Sequence, residues 1–77
     1  MYQRDRKEFG RRFKAARKER RWTVTALAEA AGVSRGTIHA WEAARQEPSA
    51  TALMPVCAVL GVSYAVASCW GLPEASQ

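Results

Sequence analysis

Between Val24 and Glu42 the chain reads VTALAEAAGVSRGTIHAWE, and the spacing of small and large residues there leaves few ways to fold it. Ala28 is followed by Gly32 four positions on, and Ile38 and Trp41 stand six and nine beyond that glycine. Two helices that cross steeply over a turn of three or four residues need a small side chain where they approach. Ala28 supplies it, and Gly32 can take the positive φ that ends the first helix. Val33, Ile38 and Trp41 then seal the angle between the two. Thr23 and Ser34 stand where each helix needs an N-cap, and Leu27, Ala28 and Ala31 share one face. The alternative is an ordinary αα-hairpin in a structural bundle.

The flanking segments extend the helical pattern. Asp5-x-x-Glu8 has the form of a capping box, and Phe9, Phe13 and Ala16 recur at helical spacing, which predicts a first helix over 6–20 with its basic residues outward. Ala43 to Pro48 reads as a loop. Ser49 opens a fourth helix with Leu53, Val56, Val59 and Leu60 inward and Gly61 at its end. Pro55 predicts a kink in that helix, or its start. Ser63 caps a fifth helix to about Trp70, closed by Gly71 and Pro73, and Glu74 to Gln77 are expected to fray. No stretch alternates with period two, so no sheet is expected. The expectation is one all-α domain over 1–77 with its core over about 6–70, a compact five-helix bundle.

Charge adds a direction. The first 21 residues hold ten basic and three acidic side chains, a balance of +7, while the remaining 56 hold two basic and four acidic, a balance of −2. Such asymmetry points to an anionic polymer or a membrane surface as partner, or to a solvated helix face. No run approaches the ~18 apolar residues that span a bilayer, and MYQRDRKEFGRR is no signal peptide. A cytoplasmic protein is expected. Cys57 and Cys69 lie in apolar surroundings and are expected to be buried and reduced. With one histidine and no Cys-x-x-Cys, neither a metal nor a cofactor is expected. His39 has no nucleophile or second histidine near it, so an enzyme is disfavoured.

Small-crossing-large spacing of this kind is a helix-turn-helix signature. Together with FGRRFKAARKE, LAEAAGVS, TIHAWE, EPS and AVLGVS, it makes the chain from Phe9 to about Ser68 resemble the Cro/XRE family of bacterial and phage regulators, with the λ-repressor-like fold. The resemblance implies that helix 3 lies in the major groove of duplex DNA. It also implies that Arg17 and Glu42 form a structural ion pair; the alternative is a phosphate contact from Arg17. The chain departs from the family pattern in three places. Val24 stands where a glutamine usually clamps a phosphate, Ala44 where a glycine is usual, and Gly36 and Ala40 where relatives often carry glutamine.

With Ile38 and Trp41 inward, the 3.6-residue period predicts Arg35, Gly36, His39, Ala40 and Ala43 outward. Arg35 is the expected base reader, since a guanidinium takes guanine O6 and N7 together. Gly36 lets the backbone approach the groove, and Ala40 offers a methyl to thymine. His39 either bonds a base or phosphate or is simply solvated. Phosphate contacts are expected from Thr23, Thr25 and the backbone at Val24, from Ser34 and Thr37, and from Arg45 and Gln46. Trp22 and Trp41 are expected as core anchors. Tyr64, Val66, Trp70 and Leu72 predict a homodimer contact; in the alternative, Trp70 covers Phe9 or Phe13 and the free protein is monomeric. The expected function is a sequence-specific transcriptional regulator of double-stranded DNA, a repressor of phage, mobile-element or autoregulatory type. The alternative is a protein-interaction module that keeps the fold without specific DNA binding.

Overall fold

The computed structural model describes residues 6–70. Five helices follow one another: α1 Arg6–Glu19, α2 Val24–Ala31, α3 Arg35–Glu42, α4 Ala50–Leu60 and α5 Tyr64–Ala67. Among the described residues there is no strand. Asp5, Gly71, Leu72, Pro73 and Glu74 to Gln77, to which the sequence assigned a cap, a helix stop, a dimer contact and a frayed tail, lie outside them.

The helices begin where hydroxyl side chains are available. Thr23, Ser34, Ser49 and Ser63 all have extended backbones and accept from the N–H three residues on, in Ala26, Thr37, Ala52 and Val66. Each cap satisfies one of the first-turn donors that a helix cannot pair internally. The ends are closed by backbone bonds spanning five residues: Trp22 to Arg17, Val33 to Ala28, Arg45 to Ala40 and Val62 to Cys57. That closure requires one residue in the left-handed region. Gly32 and Gly61 fill the role after α2 and α4, but after α1 and α3 it falls to Arg21 at φ 63° and Ala44 at φ 64°. An L-residue there costs of order 1 kcal/mol. Ala44→Gly is therefore expected to stabilise the fold by about 0.5–1 kcal/mol, less the extra chain entropy of glycine. Chemical denaturation at constant m checks this, and a lowered midpoint would contradict it.

Phe9, Phe13, Leu27, Ala28, Ile38, Trp41, Leu53, Val56, Cys57, Leu60 and Ala67 form one buried cluster. Phe9 stacks on Phe13 with centroids 5.7 Å apart, and Phe13 meets the edge of Trp41 at the same distance. These contacts set α1 across the back of α3. Trp22 and Val33 close the cluster as partly buried neighbours.

Four expectations need correction. α1 ends at Glu19, one residue earlier than the pattern suggested. α5 is a single turn, followed by turns through Trp70 rather than by helix. Of the two readings of Pro55, the start of α4 is excluded, for that residue lies exposed inside a helix that runs on through it. Only the bond that its missing N–H would have given to the Thr51 carbonyl is forgone. Cys57 is buried, and burial pushes its thiol pKa up, but Cys69 is exposed, its Sγ 3.3 Å from the Ala65 carbonyl oxygen.

Candidate nucleic-acid interface

The α2–α3 pair is positioned from behind by one ion pair. Arg17 Nε donates to Glu42 Oε2 at 2.6 Å and Nη2 to Oε1 at 3.1 Å, while Nη1 donates to the Trp22 carbonyl at 2.7 Å. The two side chains retain only 9% and 8% of their exposure. One guanidinium thus ties together α1, the end of α3 and the turn into α2. A fork-to-fork pair in which each guanidinium nitrogen donates once fixes orientation as well as distance. Glu42, the acidic residue of α3, is turned inward by it.

Gly10 is a second positioning residue, and the sequence pattern gave it no role. A Cβ there would lie 2.7 Å from the Trp41 carbonyl oxygen and 2.8 Å from that of Glu42. Only a residue without a side chain lets α1 approach the last turn of α3 this closely. Its signal in the sequence is a glycine within an otherwise strong helical pattern, one residue after an inward phenylalanine.

On the outer surface, Arg35, Gly36, His39 and Ala43 are exposed and share one face of α3. Ala40 does not join them. It is 7% exposed, which corrects the expectation that it offers its methyl outward. The chain turns back after α3, with Arg45 N–H 2.9 Å and Gln46 N–H 3.4 Å from the Ala40 carbonyl oxygen. The helical period of α3 alone does not register it.

The expected phosphate contacts flank this face. Thr23 and Thr25 are exposed, but Val24 is half-buried and packs on the core, so α2 opens without a polar side chain at its first position. With Thr23 Oγ1 accepting from Ala26, the N–H groups of Val24 and Thr25 have no intrahelical acceptor. Ser34 Oγ accepts from the Thr37 N–H at 3.1 Å and lies 2.9 Å from Thr37 Oγ1. Two bonded hydroxyls keep one hydrogen free to donate outward. Arg45 and Gln46 are exposed in the loop after α3, and the Arg45 carbonyl accepts from Arg6 Nη1 at 3.4 Å.

The late apolar residues divide. Tyr64 and Trp70 are half-buried against the core, and Trp70 tilts over Phe9 with centroids 6.2 Å apart. Both cover the core from one side and keep part of their surface open. Val66 remains 53% exposed, as does Met54 of α4 at 54%. Among the described residues no His, Cys, Asp and Glu gather as a metal site, and no helix is long and apolar enough to cross a membrane.

A helix-turn-helix domain model matches residues 8–67. No curated protein sequence is significantly similar to the chain. Several solved structures are. The clp gene regulator ClgR from Corynebacterium glutamicum is 33% identical with a TM-score of 0.77, over 86% of this chain and 85% of that one. The N-terminal DNA-binding domain of SinR from Bacillus subtilis is 34% identical with a TM-score of 0.73, over 90% of this chain and 96% of that one. SinR, a master regulator for biofilm formation, in complex with DNA is 38% identical with a TM-score of 0.73, over 77% and 95%. On its residues, its fold and these likenesses, the chain belongs to the helix-turn-helix domains of the Cro/XRE type.

Proposed function

We propose that the chain is a sequence-specific regulator of double-stranded DNA that lays α3 in the major groove and acts as a homodimer on a two-fold related site. The observation that carries this reading is electrostatic. From Ser34 to Gln46 the exposed residues are Ser34, Arg35, Gly36, His39, Ala43, Arg45 and Gln46, and none is acidic. The acid within that span, Glu42, is spent on Arg17. A surface that presents cations, hydroxyls and free N–H groups with its carboxylate turned inward suits a polyanion. SinR, a structural relative, is seen in complex with DNA, which supports the same reading. Repression of a phage, mobile-element or autoregulatory kind fits a domain that acts by occupying its site. Arg35 reads a base, and Thr23, Thr25, Ser34, Thr37, Arg45 and Gln46 hold phosphates, with the Val24 N–H beside them.

Selection of bound sequences from random duplexes tests this. The expected product is a two-fold site with half-site centres about one helical turn, ~34 Å, apart. On that site, Arg35→Ala is expected to cost about 1–3 kcal/mol and to relax preference at one guanine, while binding to scrambled duplex persists. Equal losses on both duplexes would reduce Arg35 to a phosphate contact. A protein-interaction module without specific DNA binding is the second reading. It is favoured by the small side chains at Gly36 and Ala40, which leave Arg35 and His39 as the long polar side chains exposed on α3. A selection that enriches no sequence would support it.

A further inference from the structure

We propose that Arg21 is a phosphate-binding residue of the duplex interface, supplying beside α2 the side-chain contact that its first residue, Val24, cannot make. The inference rests on the DNA-binding reading and adds a residue to it. Arg21 occupies the left-handed position that closes α1, at φ 63°, where glycine would be unstrained. The fold draws no return from its side chain, which is exposed and makes no hydrogen bond or ion pair among the described residues. Arg20, its neighbour, is by contrast engaged with Glu19 and the Ala16 carbonyl.

The arginines as a set sort the same way. Arg6 faces Glu47, Arg11 and Arg12 share Glu8, Arg17 grips Glu42 and Arg20 meets Glu19, so the arginines of α1 and its last turn have carboxylate partners. Arg21, Arg35 and Arg45 have none among the described residues, and all three are exposed. They stand one before α2, one at the start of α3 and one in the loop after α3, so the unneutralised guanidinium groups bracket the two-helix motif. Arg21 is two residues before Thr23, within about 7 Å along the chain, and an arginine fork spans that distance. A phosphate held by the N–H groups of Val24 and Thr25 is therefore within its reach, and the pair would be charge-assisted.

Arg21→Gly tests the proposal cleanly, because it removes the charge and relieves the backbone at once. Its melting temperature is expected at or above the parent's, so weaker binding cannot be ascribed to unfolding. Binding is measured across a salt series on a labelled duplex of arbitrary sequence about two helical turns long. The salt slope is expected to shrink by about 0.9, and affinity at low salt to fall about 5-fold. Arg21→Lys should keep most of the slope, whereas Lys14→Ala, an equal loss of charge on an exposed turn of α1, should move it less. Parent binding with an unchanged slope in Arg21→Gly would overturn the proposal while leaving the DNA reading intact. An equal drop in Lys14→Ala would also overturn it, by reducing the effect to net charge. A parent chain that fails to bind duplex would overturn both.

Discussion

Glu42→Ala is expected to cost the fold about 3 kcal/mol, because it strands a guanidinium that has almost no access to water. The loss is large for a chain this short, whose whole stability should lie near 5–10 kcal/mol. At roughly 4–8 °C per kcal/mol, the melting temperature should fall by more than ~10 °C. A shift of a degree or two would mean that water reaches the pair despite its burial. Replacing both partners, Arg17→Met with Glu42→Leu, should recover much of the loss, since neither charge is then left alone. Recovery will be incomplete, because the Trp22 carbonyl also loses the donor that Arg17 provides.

Gly10→Ala is expected to destabilise by about 2 kcal/mol or more, although alanine is the better helix former by about 1 kcal/mol. The added methyl meets two main-chain carbonyl oxygens of α3, which cannot rotate away as a side-chain tip would. Relief requires α1 and α3 to separate, which loosens the Arg17–Glu42 grip as well. Gly36→Ala is the control, for its nearest neighbour atom is the Ser34 hydroxyl at 3.8 Å and it lies exposed on α3. There the helix preference acts unopposed and the fold should gain stability. Urea denaturation of the two variants tests the contrast, and similar midpoints would show that α1 does not need its close approach.

These substitutions mark where the sequence is legible. The helix starts are local: a hydroxyl accepts from a donor three residues on, so Thr23, Ser34, Ser49 and Ser63 can each be read from a few neighbours. Gly32 and Gly61 announce their stops for the same reason. Arg21 and Ala44 adopt the same left-handed backbone without a glycine to signal it, each within a helix end closed by a five-residue backbone bond, Trp22 to Arg17 and Arg45 to Ala40. Gly10 was silent because its purpose lies 31 residues away, in the carbonyls of Trp41 and Glu42. Ala40 was misread for a related reason, since the helical period describes one helix and its burial depends on what packs around that helix. Trp70 is apolar enough for either a partner or its own core, and its contact with Phe9 is legible only once α1 and the last turn are placed together. The candidate interface was thus legible where it is helix face, and hidden where it is the turn before α2.

In the proposed function, the surface around α2 and α3 binds duplex DNA through its phosphates. Duplex affinity of the unaltered chain, measured from low to moderate salt, tests it most directly. With Arg21 and Arg45 of both protomers of the proposed dimer on phosphates, log K should fall against log salt with a slope of about −3 or steeper. A chain that stays folded and shows no duplex binding at low salt, or binding indifferent to salt, would rule out a phosphate-binding surface on α2 and α3.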